Sequence, residues 1–155
     1  MEFLRTLSGQ RVYLDTNIFI YAYEAHPSYV HVITSLFEAI ERGDVRAVTS
    51  ELSLAEVLIM PIKNKNRSAQ KAYRQALQNS ANLIVHPINR DILAEAARLR
   101  ATSQLTLPDA IHVTTARAAR CHYVVTNDAQ FCTALGIHVV LLSNIVQTTK
   151  PDSPA

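Results

Sequence analysis

The chain has no tryptophan, only three glycines and only two cysteines, and no apolar run in it approaches the roughly eighteen residues a membrane-spanning helix needs. Each absence excludes a class of protein. Scarce glycine rules out collagen-like and Gly-rich low-complexity chains. Cys121 and Cys132 form neither a CxxC pair nor a Cys/His cluster with zinc spacing, so a disulfide scaffold and a zinc module are both excluded; both are expected as buried thiols. Neither sign of charge dominates. Fifteen Lys and Arg against thirteen Asp and Glu leave a net charge of +2 and a pI near 8.6, a mildly basic balance that permits a nucleic-acid partner without arguing for one. The N-terminus carries an acid at Glu2 and no apolar segment before Gly9. No signal peptide is therefore expected, and the expected compartment is the cytoplasm.

What is present is a composition of 48% hydrophobic and 18% charged residues over 155 positions, enough for one compact domain with its own core. The most informative stretch is Arg11-Val12-Tyr13-Leu14-Asp15-Thr16-Asn17. A short run of β-formers stops at a carboxylate, as a buried central strand would if it ended at Asp15. The apolar Ile18 to Ala22 then predicts a turn or two of buried helix. Asp15 falls at the strand's carboxyl end, where open α/β sheets bind ligands; capping the following helix is its other natural role.

Further along, Val30, Ile33, Leu36, Phe37 and Ile40 recur at helical spacing up to Gly43. Val45 to Val48 reads as a strand, and Thr49-Ser50 as the start of a helix that Pro61 should break. Glu56 lies in the middle of that apolar helix. A buried carboxylate without a partner costs several kcal/mol, on the order of other unsatisfied polar groups, so it needs a cation, a cap or an exit to water. Ser53-Leu54-Ala55-Glu56 also fits a capping box with Ser53 as N-cap. Lys63, Lys65 and Arg67 form a basic connection that could guide a phosphate backbone, although such runs are commonly just solvated loops.

The spacing predicts a third strand at Leu83 to His86, a helix over Asp91 to Arg100, and another beginning at Leu107-Pro108-Asp109. An acid such as Asp109 in a first turn is favoured by the helix dipole. His112 shares its face one turn on, where packing or a supporting hydrogen bond suits it better than metal ligation. His122 to Thr126 reads as a fourth strand, ending at Asn127-Asp128. A weak helix over Ala129 to Leu135 and a final strand over Ile137 to Val140 follow. Residues 147–155, with Pro151 and Pro154 among small polar residues, are expected to be a disordered tail, leaving 1–146 as the domain.

Strands alternating with helices predict an α/β fold with a mostly parallel central sheet covered on both faces. In such a sheet the carboxyl ends of the strands share one edge with the amino ends of the helices that follow, which draws Asp15, Asp109 and Asp128 toward one cleft, with Glu56 able to join. Unpaired carboxylates so gathered repel each other and raise one another's pKa unless a cation intervenes. Oxygen-only donors favour Mg²⁺ or Mn²⁺ over zinc, and such an ion suits hydrolysis of a phosphodiester.

Taken in order, Leu14-Asp15-Thr16-Asn17, Leu54-Ala55-Glu56-Val57, Leu107-Pro108-Asp109-Ala110-Ile111-His112 and Thr126-Asn127-Asp128 resemble the PIN-domain family over roughly residues 10 to 140. The resemblance implies a PIN-like α/β/α domain and a Mg²⁺- or Mn²⁺-dependent endoribonuclease. Small size and the lack of extra domains narrow this to a VapC-like toxin of a bacterial toxin-antitoxin pair. It implies Asp15, Glu56, Asp109 and Asp128 as acidic metal-site and catalytic residues, Asn17 and Thr126 as supporting polar groups, RNA as substrate and a cognate antitoxin as partner, with a homodimer left open. A PIN-type nuclease of RNA processing and a non-catalytic module of the same fold are the alternatives. A phosphoaspartyl enzyme of the dehalogenase type would need a second Asp where this chain has Asn17.

Overall fold

The computed structural model describes residues 1–133 and 136–149. Its centre is a five-stranded sheet in which every pairing is parallel: β1 (Arg11–Leu14), β2 (Arg46–Ser50), β3 (Leu83–His86), β4 (Tyr123–Thr126) and β5 (His138–Leu141), in the spatial order β3-β2-β1-β4-β5. Along β1, β2 and β4 successive side chains enter opposite cores, as the two-residue period requires, whereas on the edge strand β3 Ile84 faces solvent. Val12, Leu14, Ala47 and Val125 pack into one, and Tyr13, Val48 and Val124 into the other.

Helices cover both faces. The first core is closed by α1 (Glu2–Leu7), α2 (Thr16–Glu24), α3 (Val30–Glu41), α4 (Glu51–Lys63), α5 (Arg67–Ala76) and α8 (Leu142–Thr149). The second is closed by α6 (Arg90–Ala101) and α7 (Leu107–Ala118). The strand order reverses direction at β1, since the chain builds outward to β3 on one side and then to β4 and β5 on the other. Such a reversal leaves a crevice between the carboxyl ends of β1 and β4. Asp15 and Asp128 lie one and two residues past those ends.

Several expectations need correcting. Pro61 does not break α4, which continues to Lys63. A proline removes one backbone donor, and in the last turn the loss is local; the carbonyl of Pro61 is itself used by Asn66 N–H at 2.8 Å. Ser53 is not an N-cap. Ser50 is, accepting from Leu52 N–H at 3.0 Å, which leaves Ser53 inside the first turn and fully buried. The helix α1 has no counterpart among the sequence expectations, because six residues are too few to show a period, yet its Leu7 is fully buried. The segment after Asp128 is a short 3-10 turn over Ala129–Thr133, and the expected helix end at Leu135 lies outside the described residues. The expected tail begins too early, for residues 147–149 close α8, while 150–155 fall outside the described residues.

Gly43 marks the end of α3, as its position suggests. Its φ of +81° is the left-handed conformation that follows many helix C-termini and that a side chain disfavours. Cys121 is a buried free thiol pushed up to about 12 by burial against the opposing pull of Arg11, so it is inert at neutral pH. The Cys132 side chain lies outside the described part.

Candidate active site

Asp15 follows β1 directly and occupies the N-cap of α2, so capping and cleft position belong to the same residue. Its Oδ1 accepts from Thr16 N–H at 2.8 Å; its Oδ2 accepts from the Thr126 hydroxyl at 2.6 Å and from the Asn17 amide at 3.4 Å. These bonds fix a carboxylate that is only 6% exposed. Burial raises its pKa, and the Glu56 carboxylate adds to the rise, while the His112 ring and the Thr126 and Thr16 hydrogen bonds pull it back. Among the described residues, the amide oxygen of Asn17 is buried with no hydrogen-bond partner. An acceptor left bare beside Asp15 suits a cation or its water, since an unsatisfied buried polar group is otherwise costly.

Asp109 sits in the first turn of α7, where its backbone N–H reaches the Thr106 hydroxyl at 3.4 Å. Burial raises its pKa too, and the charges of Asp128 and Asp15 push it further, against the Thr106 hydrogen bond and the His112 ring. The two aspartates from other elements thus act on Asp109 electrostatically. Asp128 is held by its N–H on the Thr126 hydroxyl at 3.0 Å and by Oδ1 accepting from Gln130 N–H at 2.9 Å. Thr126 therefore bonds to Asp15 through its hydrogen and to Asp128 through its lone pairs.

Glu56 reaches the same cleft from α4. Its Oε1 accepts from the Thr16 hydroxyl at 2.9 Å and from His112 Nε2 at 2.5 Å. Burial works to raise its pKa, but the hydrogen bond and charge of His112 and the Thr16 hydrogen bond outweigh it and hold the carboxyl below its usual value. The same His112 Nε2 is 3.9 Å from Asp15 Oδ1. A carboxylate offers only lone pairs, so Nε2 must carry the proton. On its far side Nδ1 lies 2.6 Å from the Tyr13 hydroxyl, whose pKa burial raises well above normal. Tyr13 therefore keeps its proton, and its hydroxyl pairs with Nδ1 of the ring.

Below this pair runs a buried chain of hydroxyls. Thr49 donates to the Leu14 carbonyl at 2.9 Å, Ser53 stands 2.9 Å from Thr49, and Thr16 stands 3.0 Å from Ser53. Sequence reasoning misses Thr16, Ser53, Thr49 and Tyr13 as supporting groups. For Ser53 a signal exists, because three-residue spacing puts Ser53 and Glu56 on one helical face. For Tyr13 there is no local signal, since its partner is 99 residues away; Thr49 lies four residues before Ser53, but its bond to the Leu14 carbonyl comes from the neighbouring strand. His112 both packs and supports through hydrogen bonds, as its place one turn after Asp109 suggests.

Among the described residues, no three His, Cys, Asp or Glu side chains close into a complete metal cage. The donor set nevertheless suits a hard divalent ion. All its atoms are oxygens, the Asp15 and Asp109 carboxyls are raised by burial and in part by neighbouring acids, and Mg²⁺ commonly uses one or two carboxylates with waters filling the remaining positions. Lys63, Lys65 and Arg67 are exposed at the end of α4 and the start of α5.

A parallel α/β sheet with acids gathered at its topological switch point defines a class of domain that binds ligands at that crevice. The PIN domain family matches residues 12–134, and the chain belongs to that family. Solved structures agree on the fold. VapBC2 from Rickettsia felis, bound to a DNA fragment from its promoter, superposes with a TM-score of 0.66 at 18% identity, covering 84% of this chain and 98% of that one. A toxin-antitoxin complex from Klebsiella pneumoniae gives 0.63 at 25% identity, over 84% of this chain and 97% of that one. Mycobacterium tuberculosis VapC20, a toxin that cleaves the sarcin-ricin loop, gives 0.68 at 17% identity, over 83% and 98%. Comparison with curated protein sequences gives no match. No helix among the described residues is long and apolar enough to cross a membrane.

Proposed function

We propose that this PIN domain is a Mg²⁺- or Mn²⁺-dependent endoribonuclease that hydrolyses RNA phosphodiester bonds, and that it serves as the toxin of a toxin-antitoxin pair in the cytoplasm. One observation carries the catalytic part: at the switch-point crevice Thr126 ties Asp15 to Asp128 through hydrogen bonds of 2.6 and 3.0 Å, and the charges of both bear on Asp109 of α7. Asp15, Asp109 and Asp128 would hold the ion, directly or through its waters, with the bare Asn17 oxygen available to one of those waters. When bound, such an ion generates a reactive water at neutral pH and stabilises charge on the phosphate. Thr126 orients Asp15 and Asp128 together. Glu56, kept ionised by His112 and Thr16, is the base-like member of the set and would accept a proton from water on its side of the cleft.

The toxin part is supported by the kinship in fold with toxins crystallised with their antitoxins. RNA cleavage measured with and without Mg²⁺, on wild type and Asp15→Asn, tests the nuclease. Asparagine retains the cap, so metal-dependent cleavage by wild type alone is the expected result. Equal cleavage by both proteins, or none by either, would refute it. Purification of tagged protein from its native host tests the toxin: an antitoxin encoded by a neighbouring gene should accompany it, and recovery of the protein alone would leave only the nuclease.

A further inference from the structure

A groove of about 170 Å³ opens directly off the candidate site, between α2, α4 and α5, and none of the chemistry above uses it. Resting on the ribonuclease reading, we propose that this groove seats one unpaired nucleobase of the RNA, next to the phosphate held at the carboxylates. The junction is Glu56. It is tied to Thr16 and His112 within the site and also lines the groove, so a strand crossing the carboxylates meets the groove at the next nucleoside.

The lining suits a flat ring. Ile20, Val57 and Met60 supply apolar walls, and Tyr23 and Tyr73 lie with ring centroids 5.0 Å apart at 47°. Tyr73 is 4% exposed and forms a fixed floor, whereas Tyr23, at 44%, remains open to an incoming base. Aromatic stacking accepts any base, because every base has a π-face. The Asn64 side chain, also part of the lining, offers a donor and an acceptor to a base edge.

Charge separates base from backbone. Glu24 and Glu56 both line the groove, which disfavours a phosphate inside it. Immediately beyond Asn64 and Asn66 the exposed Lys63, Lys65 and Arg67 offer the counter-charge that the next phosphate needs. Asn66 is itself fixed by capping α5 through Ala69 N–H at 3.0 Å, so this end of the groove is anchored.

The test uses short single-stranded RNAs with one abasic site moved stepwise along the cleaved sequence. For wild type, kcat/KM should fall about tenfold at one position beside the scissile bond, the size of a single stacking interaction. Tyr23→Ala should lose about as much on the intact RNA and nothing further on that abasic RNA, and Tyr23→Phe should restore the discrimination. In metal-free buffer, 2-aminopurine at the same position should lose fluorescence on binding to wild type and keep it with Tyr23→Ala. Flat abasic profiles, or a Tyr23→Ala profile parallel to wild type with no position-specific quenching, would overturn the base seat, leave the nuclease reading standing and give the groove to a partner's side chain. Absence of cleavage by wild type would count against the nuclease instead, and the metal-free fluorescence would still decide the groove.

Discussion

His112 Nε2 lies 2.5 Å from Glu56 Oε1 and 3.9 Å from Asp15 Oδ1, so one buried imidazole stands between two carboxylates and pulls both down against the rise that burial imposes. For Glu56 the pull prevails, and for Asp15 it does not. The contrast follows from distance and burial: Glu56 bonds to the ring and is half-buried, while Asp15 is farther away and almost completely enclosed.

The contrast predicts the pH dependence of the metal-free protein. Asp15 and Asp109 have raised pKa values, so their contribution to stability is fully present below the ordinary 3.8 and is lost as pH rises through the raised values. Glu56 has a lowered pKa, so its contribution is present above 4.5 and is lost as pH falls through the lowered value. The melting temperature of the apo protein should therefore decline as pH rises from about 4 toward neutrality, and the decline should shrink in Asp109→Asn. A decline of the same size in wild type and variant would show that Asp109 has no part in it.

Added Mg²⁺ or Mn²⁺ should reverse that decline. At about a hundred times its dissociation constant a ligand specific for the folded state stabilises by about 2.7 kcal/mol, so thermal melts at neutral pH should rise by several degrees. Asp109→Asn should start higher and gain less. A shift no larger than a matched ionic strength of NaCl produces would argue that no ion binds.

Glu56→Gln keeps an acceptor for Thr16 and His112 and removes the charge. Cleavage should fall by at least about a hundredfold, the lower end of what a positioned acid or base contributes. The helix should survive, because its cap is Ser50. Ser50→Ala should then cost about 1 kcal/mol and expose the Leu52 amide to hydrogen exchange. Ser53→Ala should cost a similar roughly 1 kcal/mol through the absence of its buried hydrogen bonds while that amide stays protected. Retained activity in Glu56→Gln would confine the site to the three aspartates.

Tyr13→Phe removes the hydroxyl from His112 Nδ1 and leaves a buried ring nitrogen without its partner. A cost of about 1–3 kcal/mol in denaturant unfolding is expected. The ¹⁵N shifts of His112 should report a change in tautomer or protonation, because Nδ1 loses its hydrogen-bond partner. Unchanged shifts would mean that Glu56 alone sets the state of the ring.

Replacing Lys63, Lys65 and Arg67 together by alanine should weaken RNA binding at low salt and reduce the slope of log affinity against log salt by about 2, at roughly 0.7 for each phosphate of a single strand that is no longer neutralised. A slope equal to that of wild type would place all three in solvent, away from the RNA.

The sheet and the positions of its acids are legible along the chain. A β-former run halted by Asp15, a second halted at Asn127-Asp128, and an acid in the first turn of α7 are local patterns, and parallel topology sends all three to one edge whatever the rest of the chain does. Local propensity also sets β3 and the end of α3 at Gly43. The tuning of those acids, by contrast, belongs to packing in three dimensions. The link from Tyr13 through His112 to Glu56, and the hydroxyl chain from Leu14 through Thr49 and Ser53 to Thr16, each join residues from separate elements. Ser53 shows the reason plainly. Its neighbours in sequence fit a cap, but the pairing of β1 beside β2 brings Thr16 within reach of it, opposite the Thr49 hydroxyl four residues back, and burial between those hydroxyls leaves the capping to Ser50. Thr16 is 37 residues from Ser53, His112 is 56 from Glu56 and Tyr13 is 99 from His112, so these partners are chosen by packing and no short window of sequence contains both members of any of these pairs.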